Sequence, residues 1–196
     1  MLKDFNIRAA NVEEIGKIAS FISKGYDDDK FFHWCVESSE DRHKIVTDYY
    51  KIYLGAKGCV AHVAETVDGD ILGATVWLPH DVDTSIYDGI DKVVGKYAKR
   101  FRAVADMSHN NEPAGMPFYQ LVGVVTAKEA RGMGVGAALL KYHLDILDKL
   151  GIPTYLEAST PYHGKGLYGK FGYKPFGELM FFSDTAVLYP LWRPAT

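Results

Sequence analysis

The chain is 196 residues long, enough for one domain with a sizeable core and too short for two ordinary ones. Apolar residues make up 47% and charged residues 24%, a globular composition that excludes wholesale disorder. With 22 Lys and Arg against 25 Asp and Glu the net charge is −3, which argues against nucleic acid as a partner, and no apolar run approaches the roughly 20 residues of a membrane span.

The first predicted element is a short strand, Phe5 to Ala9. Asn11 and Glu14 form a capping-box pair ahead of a helix whose Ile15, Ile18, Ala19 and Ile22 recur at helical spacing. Asp27, Asp28, Asp29 and Lys30 read as a polar loop, followed by the aromatic cluster Phe31, Phe32, His33, Trp34. Ser38 or Ser39 caps a second helix carrying Ile45, Tyr49, Ile52 and Tyr53. Cys59 to Thr66 and Ile71 to Leu78 are β-rich runs around Asp68-Gly69, a hairpin signature, and Pro79 ends the second run. Residues 80–116 read as an insertion with helical character from Ile90 to Val104 and a loop from Asn110 to Gly115.

The second half is more regular. Phe118 to Thr126 predicts a strand, and a charged turn, Lys128 to Arg131, leads into Gly132-Met133-Gly134-Val135-Gly136 and a helix reaching Leu150. Gly151 and Pro153 stop that helix. Tyr155 to Ser159 predicts a strand and Gly166 to Phe171 a short helix, while residues 174–182 and 185–191 predict two closing strands. Hairpins followed by one β-α-β crossover predict a single domain over 1–196, an α/β (α+β) fold with one mixed, mostly antiparallel sheet of about seven strands flanked by helices.

The stretch Arg131 to Ala138 carries the chemistry. A helix N-terminus presents N–H groups without intrahelical partners and adds the positive end of the helix dipole. Glycine removes the Cβ atoms that would hold an anion away, and Arg131 adds a full charge. The turn therefore reads as a pyrophosphate cradle. No Lys-Ser/Thr pair follows the last glycine, so it is not a P-loop. Gly132, Gly134 and Ala137 also satisfy G-x-G-x-x-A, which keeps a Rossmann-type oxidoreductase as an alternative, although these glycines do not directly follow their strand.

Arg131-Gly132-Met133-Gly134-Val135-Gly136 resembles the R/Q-x-x-G-x-G/A signature of the GNAT superfamily of acyl-CoA-dependent N-acetyltransferases. The likeness runs through Leu121 to Val124 before it and Tyr155 to Ser159 after it, and into Leu167-Tyr168-Gly169-Lys170-Phe171-Gly172-Tyr173, similar to the family's L-Y-x-x-x-G-F/Y element. The closing Tyr189-Pro190-Leu191-Trp192-Arg193 resembles puromycin N-acetyltransferase-like members. Two departures stand out: no Asn in Pro161 to Lys165, and no Pro after the strand ending at Thr126.

The resemblance implies acetyl-CoA as cosubstrate and a primary amine of a small molecule as acceptor, with direct transfer while both are bound. It implies that the backbone from Met133 to Ala138, with Arg131 and Gly132 beside it, binds the CoA pyrophosphate. The strand end Val124, Val125, Thr126 would pair with the pantetheine arm and offer an N–H to the thioester carbonyl. Tyr168 would be the general acid that protonates the leaving thiolate.

Glu157, two residues from both Tyr155 and Ser159 and on the same strand face, is the candidate base, with Glu65, His80 and Asp81 as alternatives. Phe31 and Trp34 are candidate acceptor contacts, and His33 reads as core. A non-catalytic acyl-CoA sensor of the same fold is the alternative from another functional class. The two cysteines, Cys35 and Cys59, cannot cage a metal alone, so no metal is expected. The charged opening residues and sparse cysteines predict a cytoplasmic protein, and a homodimer is the default association.

Overall fold

Asn11 opens the first helical segment, its N–H bonded to the Glu14 carboxylate at 3.1 Å, and the chain passes through a 3-10 turn before the α-helix begins at Ile15. The computed structural model describes residues 4–83 and 85–196. In chain order it contains β1 (Phe5–Ala9), α1 (Ile15–Gly25), α2 (Lys30–Cys35), α3 (Ser39–Gly55), β2 (Val60–Thr66) and β3 (Ile71–Pro79). Then come α4 (Ser85–Val94), α5 (Ala98–Asn111), β4 (Tyr119–Thr126), α6 (Val135–Lys149), β5 (Thr154–Ala158), α7 (Leu167–Lys170), β6 (Lys174–Pro175), β7 (Met180–Phe181) and β8 (Val187–Arg193).

The strands form one sheet in the order β1-β2-β3-β4-β5-β8-β6, with β7 also on β8. Every neighbouring pair is antiparallel except β4 and β5. Helices cover both faces. Ile18 and Ile22 of α1, Val46 and Tyr50 of α3 and Phe101 of α5 pack on Val63, Ala74, Val76 and Val125. On the other face Leu140 and Leu144 of α6 pack on Trp77, Leu121 and Leu156.

Three sequence expectations change. The aromatic cluster after the acidic loop is helical, because Asp29 caps it by accepting the Phe31 and Phe32 N–H groups at 2.9 and 3.2 Å. Residues 80–116 hold two helices, the second continuing to Asn111, where a loop was expected from Asn110. The strand expected over 174–182 is two two-residue pieces on either side of Gly177, whose φ of +66° breaks an extended run.

The feature that builds a site is the parting of β4 from β5. Their pairing covers only Tyr119↔Thr154, Gln120↔Tyr155 and Leu121↔Leu156. Beyond it β4 stays with β3 as far as Gly73↔Thr126, whereas β5 follows β8 to Ala158↔Tyr189. The β3 register steps from Val76↔Gly123 to Trp77↔Leu121, which leaves Val122 as an extra residue in β4. Such a bulge bends its strand and raises the local twist. The bend lies where the two strands separate.

Candidate active site

Two cavities meet at the parted strands. One, of about 370 Å³, runs along the β4 edge past Val122, Gly123 and Val124 to Arg131, with Tyr168 on its wall. The other, of about 490 Å³, lies under α4 and α5 and is walled by rings of α2, α3 and α5, among them Phe31, Tyr49, Tyr53 and Phe101. Tyr26, Val122, Glu157 and Ser159 line both. A molecule in each cavity would meet its neighbour at these residues.

The glycine turn sits beyond the Arg131 end of the first cavity. Gly132 and Gly134 have φ of +78° and +83°, values that β-branched side chains rarely adopt. Gly134 is the N-cap of α6 and supplies no side chain to cap it. Among the described residues, the N–H groups of Gly134, Val135, Gly136 and Ala137 have no hydrogen-bond partner. A run of free amides at the positive end of a 15-residue helix fits an anion such as a pyrophosphate. Two predicted amides are already used: Met133 donates to Ala130 O at 3.3 Å, closing the turn that precedes α6, and Ala138 to Gly134 O at 2.9 Å, closing the first turn of α6. The Met133 side chain packs into the small core cluster beneath α6.

Along β4 the backbone alternates sides. Val125 and Thr126 are in register with Ala74 and Gly73 of β3, and the Val125 side chain is buried against α1, so neither lines the cavity. Val124 does, but its N–H donates to the Tyr26 hydroxyl at 3.2 Å. Val122 O accepts the Tyr50 hydroxyl at 2.9 Å. Two phenols from the helical layer thus cap the strand edge that the sequence analysis left for a ligand.

Glu157 stands at the junction. Its carboxylate accepts hydrogen bonds from Ser108 (2.8 Å) and Tyr155 (3.1 Å). Burial pushes its pKa up to about 7 against those two bonds, which favour the charged form. A carboxyl poised near neutrality can take a proton from an amine at ordinary pH. Tyr168, on the short α7, packs edge-on against Tyr173 with ring centroids 5.9 Å apart. Burial raises its pKa, and among the described residues its hydroxyl has no hydrogen-bond partner. It is therefore a protonated donor facing the first cavity.

The other sequence candidates are placed elsewhere. Trp34 lies outside both cavities: it shares a face of α2 with Phe31, ring centroids 6.5 Å apart, but one turn further on it tilts against Phe182 at 5.1 Å and lies under the Arg100 guanidinium. Glu65 is held by Arg8 at 2.8 and 2.9 Å on the far strand pair. His80 is exposed against Phe118, and Asp81 is exposed beside it. His33 is exposed too, its ring nitrogen 2.6 Å from Asp27 O, so it is not core.

Sequence reasoning missed Tyr26, Tyr50, Ser108 and Asp29. Asp29 accepts the Ser159 hydroxyl at 2.6 Å and so ties α2 to the end of β5. Tyr50 had a readable signal, its place one residue from Tyr49 on a helix. Ser108 had none, because its role arises only when α5 folds over β5.

The sequence model of the acetyltransferase (GNAT) family matches residues 20–173. No curated protein sequence matches the chain. Solved structures do. A Corynebacterium glutamicum protein designated histone acetyltransferase HPA2 and related acetyltransferase is 22% identical, with TM-score 0.74 over 98% of this chain and 97% of its own. Arylalkylamine N-acetyltransferase 2 from Aedes aegypti is 10% identical, with TM-score 0.65 over 98% and 100%. An agmatine N-acetyltransferase variant in its apo form is 13% identical, with TM-score 0.61 over 96% and 98%. These likenesses show a shared fold.

Proposed function

Since the chain belongs to the acetyltransferase (GNAT) family, we propose that it moves an acetyl group from acetyl-CoA to the primary amine of a small molecule, with both reactants bound at once. The observation that carries this reading is the meeting of two cavities of different character at Glu157 and the opened β4 edge. Acetyl-CoA supplies a thioester acyl carbon. The free amides from Gly134 to Ala137, with Arg131, hold its pyrophosphate. Glu157 takes the proton of the attacking amine, and Tyr168 gives a proton to sulfur as the carbon–sulfur bond breaks and the carbon–nitrogen bond forms. Holding both reactants in place supplies much of the rate enhancement.

The acceptor cavity favours a cation with an apolar body. Its walls are rich in aromatic rings, whose faces attract ammonium groups. Its carboxylates include Asp106, Glu112 and Glu157, while the Arg102 guanidinium is already bonded to Asp91 at 2.9 and 3.0 Å. Among the described residues lining this cavity, the basic side chains Arg102 and His109 are each already paired with a carboxylate, which disfavours a substrate carboxylate there. The unpaired thiols of Cys35 and Cys59 accord with a cytoplasmic setting.

The test is a panel of amines with acetyl-CoA, followed by mass spectrometry for the gain of one acetyl group. It includes 2-phenylethylamine, agmatine, phenylalanine, and puromycin because of the resemblance at Tyr189 to Arg193. Amines without a carboxylate should be acetylated and phenylalanine left unmodified. Acetyl-CoA binding with no CoA release for any amine would replace this reading with the sensor.

A further inference from the structure

Tyr26 lines both cavities where they meet, and its hydrogen bonding leaves its proton underused. The residue ends α1, its N–H on Ile22 O and Ser23 O at 3.2 and 3.1 Å. The adjoining turn is pressed onto β4: a Cβ on Gly25 would stand 2.0 Å from Val125 Cγ1. The Tyr26 ring is wedged between Phe32, 5.0 Å away, and Tyr50, stacked at 5.9 Å with 17° between planes. With backbone and ring both held, the hydroxyl is fixed at the junction of the two cavities.

The oxygen of that hydroxyl accepts the Val124 N–H at 3.2 Å. Among the described residues, the one backbone carbonyl its own proton reaches is Val124 O, 3.5 Å away, at the outer limit of a hydrogen bond. Neighbouring Tyr50 is better served, giving its proton to Val122 O at 2.9 Å. Burial pushes the Tyr26 pKa up to about 12, so the proton stays in place across the working pH range.

We propose that the Tyr26 hydroxyl is the hydrogen-bond donor to the carbonyl oxygen of the bound thioester, with the Val124 N–H standing behind it and polarising it. This inference rests on the acetyl-CoA reading above. It moves the carbonyl donor from the strand backbone to the side chain that caps the end of α1. A hydroxyl that receives a hydrogen bond is a stronger donor in turn. A preorganised donor of this kind stabilises the charge that grows on oxygen as the amine adds.

The experiment uses acetyl-CoA labelled with carbon-13 at the acetyl carbonyl and isotope-edited infrared spectroscopy of the bound state. On the wild-type chain the carbonyl stretch should move to lower frequency than in free acetyl-CoA, and Tyr26→Phe should lose most of that shift. Phenylalanine keeps the ring between Phe32 and Tyr50, so the fold is preserved. With 2-phenylethylamine as acceptor, kcat should fall about 10²-fold while acetyl-CoA affinity changes less than about threefold. An unchanged carbonyl band in Tyr26→Phe, or tighter acetyl-CoA binding with kcat intact, overturns the inference and leaves the acetyltransferase reading standing. Failure of the wild-type chain to bind acetyl-CoA overturns both.

Discussion

Glu157 is a half-buried carboxyl with two hydroxyl donors and a pKa near neutrality, and its titration should be visible in turnover. As a base it works deprotonated, so kcat/KM should rise with pH through about 7 and then level. Glu157→Gln should lower kcat about 10²-fold or more and abolish that rising limb. A retained limb in the variant would remove Glu157 as the base. Stability provides a second readout. The folded pKa lies above the ordinary 4.5, so the carboxyl's stabilising contribution is present below about 4.5 and lost as pH rises through about 7. Glu157→Gln should therefore gain thermal stability relative to wild type at pH 8 but not at pH 5. Tyr168→Phe tests the acid: kcat should drop about 10²-fold with acetyl-CoA affinity nearly unchanged. Glu157 and Tyr168, the proposed base and acid, were singled out by their place in strand and motif. Ser108 and Tyr26 were not, since a serine on one helix and a tyrosine ending another acquire meaning only from the strand they touch.

The turn into α6 carries the free amides proposed to hold the CoA pyrophosphate. At Gly134, φ is +83° and no atom stands within 4 Å of where a Cβ would be, so the turn is open on that side. Gly134→Val places a β-branched side chain in a left-handed conformation and over the free amides. CoA affinity, measured by calorimetry, should fall about tenfold to a hundredfold, the range for lost hydrogen bonds to a charged group. Unchanged affinity would mean that the anion is held elsewhere. Gly25 serves a different purpose, close approach of α1 to β4, and Gly25→Ala should cost about 1–3 kcal/mol of stability by overpacking. The glycine turn could be read from sequence because its chemistry is local, with helix start, glycines and arginine within eight residues. The pair α4 and α5 could not, because an apolar stripe shows that a segment is helical without showing which cavity it roofs.

Across the whole molecule, the C-terminal strand ties α6 and the end of α7 to the sheet. Arg193 is nearly buried and binds Asp148 of α6 through two 2.7 Å contacts, with a further bond to Phe171 O at 2.7 Å. Arg193→Ala strands the Asp148 carboxylate and should cost about 3–5 kcal/mol, read as a lowered melting temperature. The guanidinium holds the Asp148 pKa below its usual 3.8, so this contribution is complete above that value and fades as pH falls below it. Acid unfolding of the wild type should show a component that Arg193→Ala lacks.

The amino-acid sequence by itself determined the mixed sheet, the crossover through α6 and the glycine turn at its start, and it singled out the residues proposed as acid and base. These depend on residues near one another in the chain, whose periodicity and spacing carry the physics. Tertiary structure alone decided that β4 bends at Val122 and leaves β5, that the helices from residues 80–116 roof the aromatic cavity, and that Tyr26 stands on the Val124 amide. Those outcomes arise where two strands follow different partners and where helices far apart in sequence close over the gap. No local pattern encodes a contact between residues 98 positions apart.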